Sequence, residues 1–335
     1  MVVYFDKENY LNYLKESRKT QIGLDTLRMI KNQLVVHLNF ELNDLDEYEF
    51  ILHQEFEEGV SVDFRLSKGI DKITRPLNRD SFPSKRGIYL LNEDVQGIKK
   101  LHNVLIGSVH EEIDVLKKLI IGEDYSFHLE KRIGTEILPN QHLDILSFPF
   151  STLVIIDRYL FKGPIPGGNI DLYEYNLDKI LKTIFREKRS NSRLIFVFQI
   201  NIRVAKTDRN YDEGPDIDTL AAKIRKVVHK HCPSPELFFI AVPQGYIDDE
   251  HDRWILSNYL RIKSGDSLIY FNSRDEITSD SKTVDFYSLA RRDYRKVNKD
   301  ILDKINDICD ETLRAYPRFS KTPNDVANSG IINFS

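Results

Sequence analysis

Three apolar runs alternate with two amphipathic ones between residues 152 and 242, and this rhythm constrains the fold more than any other feature of the chain. TLVIID (152–157), RLIFVFQINIRV (193–204) and ELFFIAV (236–242) are rich in β-branched and aromatic residues and predict buried strands. NLDKILKTIF (176–185) sets Leu177, Ile180, Leu181, Ile184 and Phe185 on one helical stripe. DIDTLAAKIRKVVHK (216–230) reads as a second helix, opened by acidic residues that suit the positive end of its dipole. Strands joined through helices run parallel, and a parallel sheet buries both faces. The expectation is an α/β fold, a mostly parallel sheet covered by helices.

The first third reads differently. In LVVHLNFEL, Leu34, Val36, Leu38, Phe40 and Leu42 alternate with polar residues, the period of a half-buried strand. YEFILHQEF (48–56) and VSVDFRL (60–66) repeat the pattern, and helices are expected near Lys7–Ser17 and Leu24–Asn32. Residues 1–80 therefore predict a small α+β module with a three-stranded antiparallel meander, closed by the linker TRPLNRDSFPSKRG (74–87). A second domain is expected over 87–316. It opens on GIYLLN and a helical period through Val95, Ile98, Leu101, Leu105, Val109, Ile113, Leu116 and Ile120, with a break at Gly107. It ends in a helix from Leu289 to Tyr316, with Tyr294, Val297, Ile301, Ile305 and Ile308 inward. Residues 317–335 read as a mobile tail.

Composition narrows the function classes. A hydrophobic share of 41% with 30% charged residues fits a globular protein, and a net charge of −4 leaves no general affinity for polyanions, so any such contact must be local. The two cysteines, Cys232 and Cys309, match no zinc spacing and suit a reducing compartment; cytoplasm is the expected location. No apolar run reaches the roughly 20 residues that span a bilayer. No metal and no cofactor is expected.

Chemistry concentrates in HDRWILSNYLRIKSGDSLIYF (251–271), read as two alternating runs with a turn near Ser264 and Gly265. Its spacing of His251, Arg253, Asn258 and Gly265 is similar to one half-site of the phospholipase D superfamily, His-x-Lys-x4-Asp-x6-Gly-Ser-x-Asn. That resemblance makes His251 the nucleophile, Arg253 the cation on the phosphate oxygens and Asn258 the third member of the catalytic set. Arg253, Ser264, Gly265 and Ser267 become the phosphate cradle. Arg replaces Lys, Asn replaces Asp, Asp266 stands in place of Ser and Leu268 in place of Asn. The ordered run His251-Asp252-Arg253, Ile255, Asn258, Ile262, Gly265, Leu268, Tyr270, Phe271 also resembles the C-terminal, phospholipase D-like domain of eukaryotic MIT-domain-containing proteins associated with ESCRT-III. That family is regarded as non-catalytic, dimeric and a binder of acidic phospholipid; residues 1–80 do not read as its three-helix MIT bundle. Bacterial relatives of the fold accompany nucleic-acid conflict systems.

A phospholipase D site needs two histidines, one attacking and one protonating the leaving oxygen. No second His-x-Lys or His-x-Arg occurs, so hydrolysis requires a homodimer with His251 from each chain at a twofold axis. Arg291, Arg292, Arg295, Lys296 and Lys299 form the strongest basic cluster and could grip a nucleic-acid backbone. FKGPIPGGN (161–169), with Lys162, Gly167 and Gly168, reads as an ordinary turn more than an anion nest; Asp157 and Arg158 read as a structural ion pair, and HKHC (229–232) as a helix end. The resulting expectation is a phosphodiester-recognising protein, acting on nucleic acid in bacterial antiviral defence or a mobile element, as a binder or a degenerate nuclease. The alternatives are a non-catalytic interaction and dimerisation module, with residues 1–80 binding a protein partner, and a peripheral binder of acidic phospholipid.

Overall fold

The computed structural model describes residues 1–57, 86–91, 104–108, 125–129, 150–157, 170–185, 192–200, 217–243, 253–265, 268, 270–272, 274, 282–315 and 320–321. The chain divides into two compact units, one of Met1–Glu123 with Ser288–Val297 and Phe334–Ser335, the other of Asp124–Tyr287 with Asn298–Asn333.

In the first unit Val2–Phe5 (β1) ends at Asp6, whose side chain accepts the Asn9 N–H at 2.8 Å and caps Lys7–Ser17 (α1). Thr20 caps Gln21–Gln33 (α2) through the Gly23 N–H at 3.0 Å. A Cβ on Gly23 would collide with the Ser17 backbone, so the close approach of these two helices requires glycine. Val35–Leu38 (β2) then pairs with β1, and after Glu47–Glu57 (α3) come Ile88–Leu90 (β3) and Leu105–Gly107 (β4). All described pairings are parallel, in the order β2-β1-β3-β4. Val3 and Phe5 are buried, and on the other face Tyr4 stacks on Tyr89 at 4.7 Å between centroids. Burial of both faces is what a parallel sheet demands.

The antiparallel meander is therefore corrected. LVVHLNFEL supplies one short strand, parallel to β1 because α1 and α2 form the crossover between them. YEFILHQEF is helical: Asp46 accepts the Glu49 N–H at 2.8 Å while Glu49 accepts the Asp46 N–H at 3.0 Å, a reciprocal cap that starts α3. Leu52, His53 and Phe56 face inward at helical spacing. VSVDFRL lies outside the described residues. Leu105, assigned to a long helix by periodicity, sits in β4 instead, and the first unit extends past residue 80 to include β3 and β4.

The second unit holds an eight-stranded sheet. Its strands are Tyr125–Leu129 (β5), Thr152–Asp157 (β6), Arg193–Ile200 (β7), Glu236–Pro243 (β8), Arg253–Leu256 (β9), Leu260–Ser264 (β10), Lys282–Ser288 (β11) and Ser320–Lys321 (β12). The order is β12-β8-β7-β6-β9-β10-β11-β5. The three predicted strands β6, β7 and β8 are parallel, joined through Ile170–Ile184 (α4) and Ile217–His231 (α5). The strands flanking them are antiparallel, so the sheet is mixed where a mostly parallel one was expected. Leu153, Ile155, Leu194, Phe196 and Phe239 pack against Leu177, Leu181, Ile224 and Val228 in one core.

Two further expectations change. Ser320 and Lys321 pair with Ile240 and Phe239, so part of the predicted tail is an edge strand. The final helix, Arg292–Ala315 (α6), buries Asn298, Leu302, Ile305, Cys309 and Thr312, while Val297 is 45% exposed. Its inward stripe is rotated by about one position from the predicted one, admitting polar Asn298 and Thr312.

Candidate functional site

The register of three strands builds the site. β9 runs antiparallel to β6 with Ile156 opposite Trp254, which brings Arg253 beside Asp157 at the carboxyl end of β6. β10 returns antiparallel to β9 with Ser264 opposite Arg253, so Gly265 follows at the same edge. The turn between β9 and β10 is Ser257–Tyr259, not Ser264–Gly265, because the Ser257 hydroxyl accepts the Leu260 N–H at 3.0 Å and closes it there.

Arg253 and Asp157 are the charged centre. Arg253 Nε lies 3.5 Å from Asp157 Oδ1, and the two residues are 3% and 1% exposed. Asp157 Oδ2 accepts the Leu268 N–H at 3.0 Å. Tyr173 of α4 and Tyr270 are buried nearby; burial pushes both phenols up, and the Asp157 carboxylate adds to the rise, so neither ionises near neutral pH. At Tyr270 a hydrogen bond with Ser264 opposes that rise.

A second polar side chain holds the same segment. Asn176 of α4 accepts the N–H groups of Tyr270 and Phe271, each at 2.8 Å, and donates to the Phe271 carbonyl at 2.8 Å. Ser264 is fixed by the strand register, Leu268 by Asp157, and 270–271 by Asn176. Among the described residues, Ser264, Leu268, Tyr270 and Phe271 are thus each held, with Leu268 at the carboxyl end of β6, the kind of edge where open α/β sheets gather their ligands.

Of the residues predicted to act together, Arg253, Ser264 and Gly265 meet. Only Gly265 is exposed; Arg253 and Ser264 are buried, with the guanidinium turned toward Asp157. Asn258 is not with them. It sits at the opposite end of β6, accepting the N–H groups of Ser151 at 2.9 Å and Thr152 at 3.2 Å and donating to the Ser151 hydroxyl at 2.8 Å. Its work is to clasp the start of a strand. His251 and Ser267 lie outside the described residues, as do Arg158, Lys162, Gly167 and Gly168.

The basic cluster also divides by role. Arg295 donates to the carbonyls of Leu289 at 2.9 Å, of Ala290 and of Gln33, and burial, with Arg292 and Arg86 beside it, lowers its pKa to about 10. It holds the start of α6 and is charged at neutral pH. Arg291 stacks on Tyr294 at 5.0 Å and Lys299 pairs with Asp303. Arg292 and Lys296 are exposed. In HKHC, His229 bonds the Pro233 carbonyl at 3.1 Å and His231 meets Asp178 at 3.0 Å, which is helix-end chemistry. Among the described residues no group of three or more His, Cys, Asp or Glu side chains could hold a metal ion, and no helix is long and apolar enough to cross a membrane.

Asp157 and Asn176 were underread in the sequence. Both had a signal: a carboxylate closing an otherwise apolar strand, and an amide on the inner stripe of an amphipathic helix, each needing a buried partner. No family model matches the chain, and no curated protein does.

Proposed function

We propose that the second unit is a phospholipase D-like domain that recognises a phosphodiester, nucleic acid, at the exposed bend of Gly265. The observation carrying this reading is the β9–β10 register, which joins Arg253, Ser264 and Gly265 at the carboxyl edge of β6. In this reading the anion is met at Gly265, His251 is the nucleophile that the sequence motif implies, and the buried Arg253–Asp157 pair lies at the strand edge that leads into Gly265. Hydrolysis needs the His251 of a second copy, so a monomer binds without cleaving. The setting implied by the motif's resemblance is bacterial defence or a mobile element.

The test is fluorescence anisotropy of a labelled single-stranded oligonucleotide titrated with the full chain over a range of salt. Affinity should fall linearly with log salt, and His251→Ala should weaken it. Wild-type protein that binds no oligonucleotide even at low salt would overturn the reading.

One observation favours a second reading. Arg253 is charge-balanced by Asp157 and withdrawn from solvent, as in a purely structural pair, and this supports a non-catalytic interaction module. That reading expects no salt-sensitive binding of nucleic acid.

A further inference from the structure

We infer that Asp157 is a positioning residue, acting through Arg253 and Leu268 to hold the Gly265 bend in its receptive shape; the inference rests on the recognition reading above. The two carboxylate oxygens meet different partners: Oδ1 faces the Arg253 guanidinium, and Oδ2 receives the Leu268 N–H. The segment that carries Gly265 is fixed at one end by the pairing of Ser264 with Arg253 and at the other by Asn176 on Tyr270 and Phe271. Between those ends, among the described residues, the Leu268 N–H donates to Asp157 Oδ2 at 3.0 Å and ties Leu268 to the carboxyl end of β6. Asp157 thus contacts the cation through one oxygen and Leu268 through the other.

The sign of one substitution separates positioning from plain electrostatics. A carboxylate near an anion site repels the ligand, so Asp157→Asn by charge alone should tighten binding. Positioning requires the reverse, because Arg253 loses the carboxylate charge beside it and Leu268 its charged acceptor. Two measurements on the full chain decide: hydrogen exchange at the Leu268 amide in the free protein, and anisotropy with a labelled oligonucleotide.

Asp157→Asn should speed Leu268 exchange and weaken the oligonucleotide, each by roughly tenfold, the scale of one lost charge-assisted hydrogen bond. The apolar pair Asp157→Leu with Arg253→Met, which removes both charges of the pair together, should fold and still lose Leu268 protection. Unchanged protection in both variants, or tighter binding by Asp157→Asn, would overturn the inference. Loss of Leu268 protection in a protein whose wild type binds no oligonucleotide would keep the positioning role and remove the recognition reading instead.

Discussion

Asp157 and Arg253 face each other across β6 and β9 with Oδ1 and Nε 3.5 Å apart and both residues sealed from water. A buried pair of this kind adds little over an apolar pair of equal volume, but removing one partner takes the opposite charge from beside the other at a cost of about 3–5 kcal/mol. Arg253→Met should therefore depress the unfolding midpoint of the second unit severely, and adding Asp157→Leu should restore most of it. Trp254, the single tryptophan of the chain, sits beside Arg253 and supplies the fluorescence signal. A double variant no more stable than Arg253→Met would refute the compensation.

Asn258 stands 0% exposed at the far end of β6, so its expected membership of a catalytic set becomes a stability prediction. Asn258→Ala strips the acceptor from two backbone N–H groups, costing about 1–3 kcal/mol where these are buried. Denaturant titration should register that loss, and the folded fraction should bind oligonucleotide with wild-type affinity. Wild-type stability combined with lost binding would return Asn258 to the site.

How far the sequence could be read follows from which forces wrote each element. The β6–α4–β7–α5–β8 core was legible because burial on both faces leaves near-continuous apolar runs that no surface strand needs. The first unit misled because Tyr48, Phe50 and Leu52 alternate by chance while the Asp46–Glu49 reciprocal cap, a local device, decides for helix. Gly265 follows the strand edge that carries Arg253 because the tight β9–β10 turn fixes their register. Asp157 and Asn176 act over 94 to 111 residues of sequence separation, and no local pattern names the partner of a buried polar group.

The basic cluster on α6 should split under alanine substitution. Arg295 makes three hydrogen bonds to carbonyls and is held below the usual arginine range by burial, whereas Arg292 and Lys296 are exposed. Arg295→Ala should lower stability by about 1.5–3 kcal/mol, the range for charged hydrogen bonds. Arg292→Ala with Lys296→Ala should stay within about 0.5 kcal/mol of wild type. If these two residues touch phosphates, their loss also flattens the salt slope of binding by about 0.7 per contact on a single strand. An unaltered slope assigns them to a solvated helix face.

Acid should loosen the first unit before neutral pH is far behind. His53 is buried with Nδ1 2.8 Å from the Tyr10 hydroxyl, a hydrogen bond that a neutral imidazole can make. Its Nε2 is 3.3 Å from Glu57, close enough to attract but without hydrogen-bond alignment. Burial lowers the His53 pKa and outweighs the pull of Glu57; burial also lowers that of His37 on β2. With the folded values below the unfolded one near 6.5, the unfolded chain takes up protons first, so the stability these two histidines contribute is full above about pH 6.5 and is lost as pH falls toward their folded pKa values; the Met1 amine, lowered by burial from 8.0 to about 5, adds a loss of the same sign that begins nearer pH 8. Far-UV circular dichroism of denaturant unfolding at a series of pH values from 7.5 to 5 should give midpoints that fall with acid. The decline should not exceed about 1.4 kcal/mol per pH unit for each of these three groups and should shallow when His37 is replaced by Asn. A midpoint that holds steady or climbs through that window would mean that His53 is already protonated beside Glu57 in the folded protein.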